Sequence, residues 1–400
     1  MMKFFKNFSE IQNIEKRTCY YLCGFSFFLP LSKALGNIFL TLSLLAMVHR
    51  LFRKNDDVRL IFGEYKKIFA TIAFLLAAVF ISALTSADIF YGVKKFLEKY
   101  ILHMSAMLPI LLICDREKIF KIVKCLFAGV FISNSIVIVQ ALQNLDKFWR
   151  FGGLLGGMPQ GSLIAASLPI CIVSIINVKP VRWKIFFIIS AVTFFWAMIF
   201  NGARGVWLAM LILIPAVVLI CAKHKLKALG GLILIFMAVA GIFINTPNLS
   251  ARFSSITDMQ MQSNSERLLM WKSALNMFED NPIFGVGYGQ YKFAYQQEYI
   301  MPEAKERHQE HAHNNIIQML AECGIVGAAA FIFWWGYLTY FSLRLWFKYK
   351  NFEWLLYFCV LWAIMLHGLT EFNFETSVTS KVLWYSLGLC MAYNRLNSKN

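Results

Sequence analysis

KIFATIAFLLAAVFISALTS, residues 67–86, decides what kind of molecule this is. After Lys67 no charged residue occurs until Asp88, and the run matches the ~20 residues an α-helix needs to cross the hydrocarbon core of a bilayer. Its apolar residues fall on every face, as expected where the surroundings are lipid. Comparable runs occur at 18–31, 34–52, 95–114, 119–141, 159–178, 183–200, 205–222, 228–246, 325–346, 353–371 and 379–395. That makes about twelve predicted spans. The first is short and broken by Pro30, as in one half of a tight hairpin.

Composition agrees. Of 400 residues, 58% are hydrophobic and 15% charged, and mean hydropathy is +0.58. Soluble domains carry about 25% charged residues, and a soluble core cannot absorb so much apolar side chain. Met1 to Arg17 is polar and basic, with no small-residue cleavage site after the first apolar run. The first span is therefore expected to act as the insertion signal.

A net charge of +17 raises the question of nucleic acid. Its placement answers otherwise. With a cytoplasmic N-terminus, alternate connections hold Arg50, Arg53, Lys54, Arg59, Lys66 and Lys67, then Arg116 to Lys124, Lys179 to Lys184, Lys223 to Lys227 and Arg344 to Lys350. This alternation obeys the positive-inside rule, so the basic balance is a topology signal and no nucleic-acid partner is expected. The nine cysteines form no CxxC or Cys/His pattern and mostly fall inside spans.

The exception to short connections runs from about Ile244 to His313, on the outer side. Loops this long inside a compact protein are usually functional. The chain thus divides into spans at 1–246, a loop with short helices at 247–312, and final spans at 313–400. Within the loop, Ser263-Asn264-Ser265-Glu266 offers capping residues for an amphipathic helix from Arg267 to Phe278, stopped by Asn281-Pro282. Gly285-Val286-Gly287-Tyr288-Gly289 follows, a turn that lets backbone approach something closely. A second helix is expected to begin near His311-Ala312-His313-Asn314-Asn315. It would place His313 on one stripe with Ile316, Ile317, Leu320 and Gly324.

Three outer cations draw attention: Arg204 at a span entry, Arg267 in the loop helix, and Arg150 before Phe151-Gly152-Gly153. Singly, each reads as an arginine snorkelling at the interface. Together they suit a diphosphate, because guanidinium is permanently charged and binds phosphate oxygens in a fork. His313 is the plausible general base. A lone histidine on an apolar face is more often a satisfied core residue, but at a helix N-terminus the dipole favours the neutral ring that a base requires. Glu298, Glu303, Glu306 and Glu310 form a solvated run, and the Asp56-Asp57 pair is expected in the cytoplasm. No outer acidic pair has metal-nucleotide spacing, so neither metal nor cofactor is expected.

His313-Asn314, nine residues, then Gly324 and Gly327 resembles the signature of the O-antigen ligase / O-antigen polymerase superfamily. Arg267-Leu-Leu-Met-Trp, followed by Asn281-Pro-Ile-Phe-Gly-Val-Gly, is similar to that family's large periplasmic loop, and Ala203-Arg204-Gly205 to its arginine at a span entry. The likeness covers the second half of the chain; before residue 150 only the hydropathy pattern agrees. It implies an all-α, C-type glycosyltransferase-like fold in the bacterial inner membrane, with about 12 transmembrane helices and one large periplasmic loop. It also implies a polyprenyl diphosphate-linked glycan donor and, for a ligase, a lipid A–core acceptor. Chain length favours ligase over protein glycosylation. Glycan polymerisation and, outside the class, a glycolipid flippase remain alternatives.

Overall fold

The computed structural model describes residues 2–53, 62–144 and 150–398. The Asp56-Asp57 pair, with Lys54 and Arg59, lies outside them. Every described regular element is helical: α1 (Met2–Phe28), α2 (Lys33–Arg53), α3 (Lys66–Leu84), α4 (Ile89–Phe96), α5 (Arg116–Leu142), α6 (Gly157–Asn177), α7 (Val181–Asn201), α8 (Arg204–Cys221), α9 (Lys225–Asn245), α10 (Pro247–Ser254), α11 (Gln262–Asp280), α12 (Asn315–Tyr349), α13 (Phe352–His367) and α14 (Ser377–Ser398). Eight of these, α2, α3, α5 to α9 and α12, are long and apolar enough to cross a membrane. This is an all-α, multi-pass membrane protein. The segment expected at 95–114 is no uniform helix, because α4 continues as a π-turn (Leu97–Ile101) and then as short α and 3₁₀ turns to Leu112.

Helix α6 forms the centre. Its residues 160–169 are all buried, and α7, α8 and α13 pack against it. Small residues make the approach possible: a Cβ on Gly161 would lie 2.9 Å from Asn201 Oδ1, and one on Gly205 would overlap Thr370 Oγ1 at 2.1 Å. Close backbone approach through small residues is the usual basis of helix association in lipid. Helix α9 is different, touching mainly α8 and α10 and leaving most of its apolar surface exposed to lipid.

The site is positioned by a break in α12. Gly324 has φ 61° and ψ −161°, so the helix cannot carry its ladder through this point. The freed groups find partners in the glycine-rich turn. Val286 N donates to Ala321 O (2.9 Å), Gly287 N to Glu322 O (3.1 Å) and Ile325 N to Pro282 O (2.8 Å). Ser82 Oγ, on α3, lies 2.7 Å from Glu322 O and 3.0 Å from Phe284 O, so its one proton is shared. Buried backbone groups left without a partner cost several kcal/mol, and here each segment satisfies the other. The contact demands glycine twice over. A Cβ on Gly285 (φ +71°) would stand 2.4 Å from Glu322 C, and one on Gly324 would stand 2.4 Å from Ile283 C.

The helix expected to begin within 311–315 starts at Asn315, and what is corrected is the place of His313. Asn314 is the N-cap, accepting from Ile316 N (2.9 Å) and Ile317 N (3.1 Å), while His313 precedes the helix at φ +50°. His313 therefore shares no helical stripe with Ile316 or Leu320. The stripe also ends early, because Gly324 is not helical.

Gly285→Ala should lower stability by on the order of 3 kcal/mol, from left-handed strain plus the clash with α12. Gly336→Ala, at a helical position with open space around it, should be neutral or slightly stabilising. Melting in detergent measures both, and equal shifts would remove the special status of the turn.

Candidate active site at the end of the helix bundle

Asn314 and Asn315 do more than start α12. Asn315 N donates to Gly368 O (2.7 Å), and its side-chain oxygen accepts from Asn373 N (3.1 Å). Its amide donates to Asn373 Oδ1 (3.0 Å), while Asn314 Nδ2 donates to Leu369 O (2.9 Å). Together they pin the loop between α13 and α14, and that loop carries Glu371 to the histidine. His313 Nδ1 lies 2.9 Å from Glu371 Oε1. With Nδ1–H donating to the carboxylate, Nε2 keeps the lone pair, which is the tautomer a base requires. Burial alone would raise the Glu371 pKa; the His313 hydrogen bond and the field of His313, His311 and His367 outweigh it and hold it at about 2. Glu371 is thus a carboxylate throughout the neutral range.

The second Glu371 oxygen faces Arg267, whose Nη2 stands 3.6 Å away, an ion pair without a hydrogen bond. Arg267 reaches it from α11, and Trp271, one turn later, donates to Ala312 O (2.8 Å) and ties that helix to the histidine segment. His311, to which sequence reasoning gave no role, joins the candidate site. Its ring packs edge-on to His313 at 4.3 Å and against Phe372 at 5.4 Å. Burial, helped by repulsion from His313, lowers its pKa to about 4, so it is neutral at pH 7.

Arg204 is brought to this loop by Gly205. Its guanidinium donates to Ser255 O and Oγ, Met261 Sδ, Ser263 Oγ (2.8 Å) and Asn264 Oδ1 (2.9 Å). The polar residues expected to cap the loop helix therefore serve another purpose. Helix α11 starts at Gln262 without a side-chain cap, Ser263 and Asn264 face Arg204, and Glu266 accepts from Lys305 N and Glu306 N. All five Arg204 acceptors are neutral. Sequence reading missed Arg252, on α10, which donates twice to Gly202 O (3.2 and 3.0 Å). Arg252, Arg267 and Arg150 are near enough to repel Arg204, and Asp258 to attract it. Burial, with repulsion from Arg150 and Arg267, lowers the Arg252 pKa. Arg150 itself is exposed, anchored through Phe151 N to Phe200 O (3.1 Å).

Four arginines therefore converge where Glu371 and Asp258 are the acids that act on them. Such an excess of positive charge, buried at Arg204 and Arg252, suits a multiply charged anion. His311, His313 and Glu371 also place one donor atom each within 4.8 Å of one another, a set that could hold a metal ion. The sequence argument against metal overlooked it, since the third donor comes from a loop 58 residues away from His313.

These features define a multi-pass membrane protein with a histidine–carboxylate pair beside an arginine cluster. Residues 189–332 match the sequence profile of the O-antigen ligase family, which supports the O-antigen ligase/polymerase superfamily, whose members are glycosyltransferase-like enzymes. The match includes Arg204, Arg252, Arg267, His313 and Gly324. Comparison with curated proteins found no match.

Arg204→Ala and Arg267→Ala should each cut glycan transfer by roughly 10²–10³ while expression persists, and lysine should rescue poorly because it lacks the fork. Asn264→Ala removes an Arg204 acceptor but no charge, and should lose far less. Equal losses for Asn264→Ala and Arg204→Ala, measured as turnover of purified protein, would make Arg204 a loop clasp only.

Proposed function

We propose that this protein is an O-antigen ligase, a metal-independent inverting glycosyltransferase. It moves a glycan from polyprenyl diphosphate to lipid A–core at the periplasmic face of the bacterial inner membrane. The observation that carries the reading is the His313–Glu371 pair set against arginines that neutral acceptors leave uncompensated.

In this mechanism the acceptor hydroxyl attacks the anomeric carbon. The new C–O bond forms as the bond to the diphosphate oxygen breaks, and that oxygen takes the electron pair. His313 Nε2 takes the hydroxyl proton. Glu371 stays ionised, orients the ring through Nδ1 and stabilises the imidazolium as it forms. Arg204, Arg267, Arg252 and Arg150 take up the charge growing on the leaving diphosphate, the task a divalent metal performs elsewhere. A single displacement inverts the anomeric centre. The apolar, lipid-exposed surface beside α9 suits the polyprenyl tail, since α9 stands apart from the bundle next to the Arg204 helix.

The lipopolysaccharide profile of a deletion strain tests the acceptor. Loss of all capped core is expected; core carrying one repeat would assign polymerisation instead. Purified protein should retain activity in excess EDTA. Loss on chelation and recovery with added divalent metal would hand His311, His313 and Glu371 to a metal and sink the base mechanism.

A further inference from the structure

A second group of cations lies at the same end of the bundle, outside the arginine cluster. Lys381 stands one turn into α14 and is only 3% exposed. Its ammonium donates to Asn37 Oδ1, on α2, and to Ser377 Oγ (3.1 Å), both neutral. Lys33, at the start of α2, and Lys99, in the π-turn after α4, are near enough to repel it, and no acid is among the groups that act on it. Three elements distant in sequence thus converge their lysines where, among the described residues, no carboxylate pairs with Lys381.

The neighbouring helix turn behaves otherwise. Lys95, one turn before Lys99, stands 3.8 Å from both Glu322 and Glu375. Lys95 is a structural cation with its counter-ions supplied. An independent sign of an unfilled polar site comes from His103. It is 4% exposed, its Nδ1 has no partner, and it feels the charge of both Lys381 and Lys99.

The surroundings indicate what fills the place. Leu35 and Ile38 on α2, and Leu97, Ile101 and Leu102 beside Lys99, are exposed apolar side chains that must face hydrocarbon. A bare ammonium at such a boundary is costly, and basic pockets between membrane helices characteristically hold phosphate headgroups. We propose that Lys33, Lys99 and Lys381, with Asn37 and His103, form a second anion site that takes the phosphate of a lipid embedded beside α2 and α4. It does not depend on glycosyl transfer at His313. Should that reading hold, the site would seat the phosphorylated second lipid that such a transfer requires.

The test uses full-length protein in detergent, titrated with dioctanoyl phosphatidic acid and followed by thermophoresis, with dioctanoyl phosphatidylcholine and inorganic phosphate as comparators. Each lysine near a headgroup contributes a factor of roughly 5 in affinity. Lys33→Gln/Lys99→Gln should therefore weaken phosphatidic acid binding by roughly 25-fold, and Lys381→Gln by roughly 5-fold or more, with phosphatidylcholine and phosphate binding far more weakly than phosphatidic acid. Should Lys381→Gln fail to fold, the double variant, which alters Lys33 at the surface and the half-buried Lys99, carries the test. Unchanged phosphatidic acid affinity in the lysine variants overturns the proposal. Inorganic phosphate binding as tightly as the lipid overturns it too, because the apolar surround would then contribute nothing.

Discussion

A helix interrupted where its backbone is buried must hand its freed groups to something other than water. In this protein the interruption is Gly324 in α12, and the recipient is the glycine-rich turn at 282–287. The site is organised from this exchange. It fixes the return of the long loop onto the bundle, and with it the approach of α11 to the segment 311–313. Asn314 and Asn315, ten residues before the break, then lock the loop that carries Glu371. A side chain at Gly285 or Gly324 would separate the two backbones and disturb all of this together.

Charge imbalance defines what the site can hold. Arg204 and Arg252 are bound by carbonyl, hydroxyl, amide and thioether groups, none of which neutralises them. Glu371 is shared between Arg267 and His313. Burial makes this excess of cations expensive, and a dianionic ligand repays it. The carboxylate on His313 Nδ1 has the opposite sign and the opposite purpose, since it steadies a proton acceptor instead of an anion. The acid that serves the histidine offsets Arg267 and leaves Arg204 and Arg252 to their neutral acceptors.

The spans were legible because hydropathy is a property of composition over about 20 residues. The loop helix was legible from its periodicity, and Arg204, Arg267 and His313 were singled out by residue type and place. What escaped was set by tertiary contact. Glu371 fell at the end of an apolar run at 353–371 and was absorbed into it, whereas α13 stops at His367 and leaves Glu371 in a loop. Arg252 sits in the short helix α10, among serines that offer no pattern. His313 looked helical because the apolar spacing after it is helical, yet Asn314 takes the cap and turns the histidine out at φ +50°. Only the third dimension brings residues 311–313 to residues 371 and 372.

The central claim is that His313 is the base and not a phosphate ligand. The most direct measurement is turnover by His313→Ala alongside its retention of polyprenyl diphosphate donor, with His311→Ala as comparator. The account predicts a loss of ~10²–10⁴ in turnover with donor binding intact, the general-base contribution. The acid limb of the pH–rate profile should vanish as well, because the group whose protonation produces it is gone. Turnover that persists while donor binding fails would contradict it.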